Sequence, residues 1–389
     1  MNKIRNFLLC LLFFALFFAN WDPLQTNGAF SIVKAAGIIY FISIIPKLKN
    51  YLRIYPIRKE MSTFLIFFLF LIILNIFNFN VISETDIVNP TMLQWSIMMM
   101  IIVNHVKETP QLIDKLMLYF TLGAVLGSVF FLLKMGIEFT TGNEERVLFF
   151  NENANSVALK SAIAIVYIIY TVFFNRFKYG ISRFLLLLSL PTIFNLFLNT
   201  GSRGGLFILV TMLLFLVLFI KIKLWKRIML IPILVIASIF LVDAISKSEV
   251  MSGRLNRTIE EHSIGGREVI WNTYIPYIYE SPIWGYGETG FNSIAEMVEG
   301  ASPHNVFIEL LLISGIIGFS IFMRFFYLIY KQGYLTYKHR NYLFPMLLFF
   351  PMFGSMLFGQ LLATKLFYLL TAYILSAKYI DRNENFMRH

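Results

Sequence analysis

Stretches such as Phe64–Phe77, FLIFFLFLIILNIF, contain almost nothing that water can solvate, and runs like it recur from one end of the chain to the other. A helix needs about 17 to 25 mostly apolar residues to cross the hydrocarbon core of a bilayer. Only 14% of the 389 residues are charged, against 58% hydrophobic with 42 phenylalanines. A soluble domain carries about a quarter charged residues. The chain is therefore expected to be an all-α polytopic membrane protein. Twelve candidate spans fall at about 6–20, 28–46, 61–80, 88–104, 116–135, 153–174, 183–199, 204–220, 226–245, 304–330, 342–358 and 362–379. The first, Phe7 to Ala19 behind Lys3 and Arg5, has the outline of a signal peptide. No Ala-x-Ala site follows it and many further spans do, so it reads as the first transmembrane helix.

The charge balance of +11 is explained by topology. With both termini in the cytoplasm, 23 of the 33 basic residues fall inside, in clusters such as Lys47/Lys49/Arg53/Arg58/Lys59 and Lys221/Lys223/Lys226/Arg227. Cytoplasmic loops are enriched in Lys and Arg, so this distribution argues for orientation and against nucleic acid as a partner. The single cysteine, Cys10, excludes an intrachain disulfide or a cysteine metal cluster. No nucleotide-binding loop, HExxH motif or acidic cluster with metal-ligand spacing is present, so no cofactor and no metal are expected.

The connections are short with one exception, an outer loop over 246–302, and a long loop in a compact protein is usually functional. The chain is otherwise one membrane domain, 1–389. Within the loop, Arg267 to Tyr279 places Val269, Ile270, Trp271, Tyr274 and Ile278 at helical spacing. That pattern predicts a helix lying at the membrane interface, with Arg267, Trp271, Tyr274 and Ile278 on one stripe. The following SPIWGYGETG, with Pro282, Gly285 and Gly287, predicts a turn-rich segment.

Polar groups concentrate at the outer edge. Ser202 is placed to cap the helix that Arg203 opens, and the flanking glycines in GSRGG allow close approach to the backbone. A helix N-terminus beside a guanidinium is an anion site suited to phosphate oxygens. The same spacing also fits an arginine snorkelling from an ordinary tight turn. Arg267 is open to two readings as well, a ligand for a lipid-borne phosphate or a headgroup anchor. In SPHNVFIELL, Ser302 is the expected N-cap with Pro303 at the first helical position, which puts His304 in the first turn. There the positive helix end favours a neutral ring, able to act as a general base. The alternative is a hydrogen-bonded interface histidine. Asn305 and Glu309, a turn apart, could orient a sugar hydroxyl or pair with each other. Arg146 and Asn155 crowd the outer start of the sixth span, and Lys160 within it must face protein or water.

The ordered set resembles the O-antigen polymerase and O-antigen ligase-like family of bacterial envelope proteins. The resemblance covers about residues 145 to 320: GSRGG opening a span, Arg267 with Trp271, Pro282 with Gly285 and Gly287, His304 with Asn305, and Gly315 with Gly318. It implies a metal-independent, GT-C-like glycosyltransferase of the cytoplasmic membrane, using undecaprenyl-diphosphate-linked oligosaccharides to build capsular, exopolysaccharide or O-antigen chains. Arg203 and Arg267 would then bind the diphosphate and His304 would deprotonate or position the acceptor. Arg146, Asn155, Ser202, Trp271, Tyr274, Asn305 and Glu309 are the expected substrate-binding residues. Membrane lipid, a chain-length regulator and a flippase of the same pathway are the expected partners. A ligase moving finished glycan to a lipid or protein acceptor, or a transporter of the same lipid, are the alternatives.

Overall fold

The computed structural model describes residues 2–26, 30–77, 90–139, 147–174, 185–222, 242–248, 250–253, 255–256, 267–298, 302–358 and 364–380. Arg146, Gly265, Gly266 and most of the expected ninth span lie outside the described residues.

The helices that position the site are α1 (Asn2–Ala15), α2 (Ile32–Ile44), α3 (Arg58–Phe77), α4 (Pro90–Glu108), α5 (Leu112–Leu132), α6 (Ala154–Ile169), α7 (Leu190–Asn199), α8 (Arg203–Phe219), α9 (Arg267–Glu280), α10 (Gly287–Met297), α11 (Val306–Arg340), α12 (Phe349–Phe358) and α13 (Lys365–Ser376). Expectation and structure differ in one class of element. A hairpin of β1 (Ile137–Phe139) and β2 (Val147–Phe149) pairs antiparallel between α5 and α6, so the described chain is not wholly helical.

Four helices among the described residues are long and apolar enough to cross a membrane: Tyr55–Phe77, Leu112–Leu132, Ala154–Phe173 and Val306–Arg340. Leu185–Asn199, Arg203–Phe219 and Phe344–Leu357 are shorter apolar helices. The described residues are thus those of a membrane protein with several apolar helices. Within the second expected span the helix is 13 residues long and passes into a tight turn, Ile45–Lys47, built around Pro46. Conversely, α11 runs past the expected end of its span to Arg340. It stops where Asn341 adopts the left-handed conformation at φ 50°, with Lys338, His339 and Arg340 in the last turn.

Each lipid-facing helix has two faces. In α3, Phe64, Phe67, Phe68, Leu71 and Leu74 are buried while Ile66, Leu69 and Ile73 are exposed. In α8, Ile208, Leu209, Met212 and Leu216 point inward and Phe207, Val210, Leu214 and Leu218 outward. Both faces are apolar, as expected where one meets protein and the other acyl chains. The spanning stretch of α6 is 78% buried, against 44% for the other three long helices, so α6 is central among them.

That central position explains Lys160. Its ammonium, 1% exposed, lies 2.9 Å from Glu152 Oε1. The Glu152 carboxylate also accepts from the Ser156 hydroxyl at 2.6 Å and the Asn20 backbone N–H at 3.1 Å. The lysine faces protein, and the pair ties the start of α6 to the segment after α1.

Candidate functional site at the helix starts

The first group forms where α6 and α8 begin. Asn153 caps α6 by accepting from the Asn155 N–H at 2.8 Å. Ser202 caps α8, its hydroxyl oxygen accepting from the Gly205 N–H at 3.1 Å. The Ser202 hydroxyl donates in turn to Asn155 Oδ1 at 2.9 Å, which holds the two helix starts together. Gly205 permits this approach, because a Cβ there would lie 2.6 Å from the Ala158 Cβ. Arg203, half-buried, is the first residue of α8. The expected cap is therefore present. The Ser202 and Asn155 side chains are both engaged in building the turn beside Arg203.

The second group forms around the start of α11, and here the sequence reading needs correcting. Ser302 does not cap the helix and His304 is not in its first turn. Asn305 is the N-cap: its Oδ1 accepts from the Phe307 and Ile308 N–H groups at 3.0 and 3.4 Å. Asparagine and serine compete nearly equally as caps, and Asn305 wins because the helix begins at Val306. His304 precedes the cap in a left-handed conformation, φ 48°. A non-glycine residue there costs about 1 to 3 kcal/mol and persists only where its surroundings enforce it.

Helix α9 matches the interfacial helix expected over Arg267 to Tyr279, but its stripe faces protein. Tyr274 is fully buried, its ring 6.2 Å from that of Phe291 in α10. Val269, Ile275 and Tyr279 are its exposed bulky residues. The buried side of α9 packs on α10 and α11. The Trp271 indole N–H donates to the Pro303 carbonyl at 2.8 Å. The Arg267 guanidinium, one turn earlier, acts on His304: burial first and Arg267 second lower the imidazole pKa from its ordinary value. The ring is held toward neutrality chiefly by its burial, with Arg267 of the neighbouring helix adding to it. Glu309 lies within electrostatic range of Tyr274, whose phenol is pushed up by burial first and then by that carboxylate. Glu288, in the first turn of α10, is also within range of Glu309. Sequence reading missed Glu288 because GYGETG reads as turn; Gly287 in fact opens an 11-residue helix.

The segment Pro282–Tyr286 explains why two distant glycine motifs belong together. The ladder of α11 is interrupted at Gly315, φ 55° and ψ −165°. An interruption in an apolar helix leaves backbone groups that need partners. The turn supplies them: Tyr286 N–H donates to Leu312 O at 2.7 Å, and Ile316 and Ile317 N–H donate to Pro282 and Ile283 O at 2.9 and 3.4 Å. Only glycine fits on either side, since a Cβ on Gly285 would lie 2.5 Å from Leu312 O.

Helix α12 links the two groups. Phe353 packs on Phe307 in the first turn of α11, ring centroids 5.7 Å apart. At the next residue, a Cβ on Gly354 would lie 2.4 Å from Ile208 Cδ1 in the second turn of α8. The starts of α8 and α11 thus flank one point of α12. Among the described residues no group of three or more His, Cys, Asp or Glu side chains could hold a metal ion.

These features define a helical membrane protein in which α9 and the Pro282–Tyr286 turn dock on a broken helix and bring Arg267 within electrostatic range of His304. Residues 184–323 match the model of a family described as O-antigen ligase, which takes in both α8 and the whole docked unit. Over that stretch, about a third of the chain, the sequence is similar to the O-antigen ligase family. No curated protein matches the chain.

Proposed function

We propose that this chain is a polymerase joining lipid-diphosphate-linked oligosaccharide repeats at the outer face of the bacterial cytoplasmic membrane. The observation that supports this reading is the docking of α9 on the capped start of α11 through the Trp271–Pro303 hydrogen bond, which brings Arg267 within electrostatic range of His304. In glycosyl transfer from such a donor, an acceptor hydroxyl attacks the anomeric carbon as the bond to the diphosphate oxygen breaks. Charge develops on the departing diphosphate, and guanidinium groups together with free N–H groups at a helix start stabilise it. Arg267 and Arg203, the latter opening α8, take that role. His304, kept toward its neutral form, accepts the proton lost by the acceptor hydroxyl. Asn155 and Ser202 hold the Arg203 turn. Asn305 and Glu309 line the His304 side, where Glu309 offers an acceptor for sugar hydroxyls. The lipid tail retains the leaving group at the bilayer surface, the level proposed for all three residues.

The description of the matching family as O-antigen ligase favours a second reading, in which the same residues move a finished glycan to a lipid or protein acceptor. Both are tested by producing Arg203→Ala, Arg267→Ala and His304→Ala variants in a strain lacking the gene and measuring surface glycan length. Single repeats accumulating on the lipid carrier support the polymerase, and long lipid-linked chains support the ligase. Normal polymer from all three at matched protein level rejects both.

A further inference from the structure

The peptide plane between Pro303 and His304 is held at both ends. Its carbonyl oxygen accepts from the Trp271 indole at 2.8 Å, a full-strength geometry for an N–H donor. Its N–H, on His304, donates to the Ser302 hydroxyl at 3.3 Å. A peptide unit is rigid, so fixing both of its polar atoms fixes the plane from which the φ angle of His304 is measured. On the other side, Asn305 is locked by its role as cap of α11, and its carbonyl accepts the Glu309 N–H at 3.0 Å. The left-handed conformation of His304 is therefore imposed from outside. Without such restraint a histidine relaxes to negative φ, which swings the imidazole away from its present direction.

Trp271 and Arg267 are four residues apart in α9, hence on one face. The one grips the backbone before His304 while the other lies within electrostatic range of its ring. This accounts for the Arg-x-x-x-Trp spacing: one turn of helix addresses both the direction of the imidazole and its charge. The tryptophan is bulky and amphipathic, half-buried, and its single polar atom is committed to the protein backbone.

We propose that Trp271 is a positioning residue for glycosyl transfer and not a substrate contact: its indole N–H fixes the Pro303–His304 peptide so that the imidazole meets the acceptor hydroxyl. This rests on the reading of His304 as the base, and the experiment separates the two. The full-length chain is reconstituted in vesicles, with lipid-linked oligosaccharide extracted from a strain lacking the gene as the probe. Trp271→Phe keeps the aromatic bulk and removes only the donor. It is expected to lower kcat about tenfold or more with KM for the donor lipid within about twofold, because loss of one orienting hydrogen bond acts on geometry and not on affinity. Trp271→His, which returns a ring N–H, is expected to recover part of that loss. Ser302→Ala, which releases the other end of the same peptide, gives the same signature in milder form and decides the matter if Trp271→Phe does not fold. Unchanged kcat in Trp271→Phe, or in Ser302→Ala where that variant must decide, overturns the proposal, as does a raised KM at unchanged kcat. Full activity in His304→Ala would instead remove the catalytic reading beneath it.

Discussion

A Cβ placed on Gly315 would lie 2.2 Å from the carbonyl oxygen of Ile283, although 32 positions separate the two in the chain. The Pro282–Tyr286 turn is thus seated inside the interrupted helix, with backbone packed directly on backbone. No side chain can rotate away to make room.

Gly315→Ala and Gly285→Ala are expected to destabilise the protein severely, by about 3 kcal/mol or more, since each adds a left-handed penalty to a backbone collision. Thermal unfolding in detergent and protease sensitivity of the 267–298 segment report it. Gly253→Ala, where the added Cβ meets no other segment of the described residues within 4 Å, serves as the control and is expected to cost nothing. Equal unfolding temperatures for all three would contradict the wedge.

The pH dependence follows from His304. Burial, and to a smaller extent Arg267, lower its pKa, so the ring stays neutral to a lower pH than a free imidazole. A base must be neutral to accept a proton. The acid limb of the transfer rate therefore lies below about 6.5, and in residual activity of Arg267→Gln it moves upward. A pH profile of vesicle-reconstituted protein checks the direction; a limb that stays in place when Arg267 is removed would contradict it.

Ser202→Ala removes both a helix cap and the bond to Asn155 and is expected to cost about 1 to 2 kcal/mol. Ser202→Thr keeps the hydroxyl and is expected to retain most of the stability. Unfolding midpoints of the two variants decide between a structural cap and a replaceable turn residue.

Lys160 and Glu152 form a buried pair, so removing one partner strands the other. Lys160→Met or Glu152→Gln alone is expected to cost about 3 to 5 kcal/mol, and the double variant less than their sum. A double-mutant cycle on unfolding free energy measures the coupling; strict additivity would mean the pair carries none.

The apolar repeats by themselves determined that this chain lives in a bilayer. Stripes such as Ile66, Leu69 and Ile73 have no other solvent to face. Local caps were legible too. Ser202 bonds a donor only three residues ahead, and the helical spacing read over 267–279 is borne by a helix there. What the sequence could not supply was the partner of each exception. Ser302 and Asn305 are equivalent caps on paper, and the choice came from packing that lets α11 begin at Val306. Trp271 reads as an interfacial anchor until Pro303 is brought beneath it from 32 residues away. Gly315 reads as a small residue in a span until the Pro282 turn fills the gap it opens. Periodicity and capping are contests between near neighbours along the chain. Burial, hydrogen bonding across a helix break and the approach of Arg267 to His304 are contests between distant segments, and only the folded chain decides them.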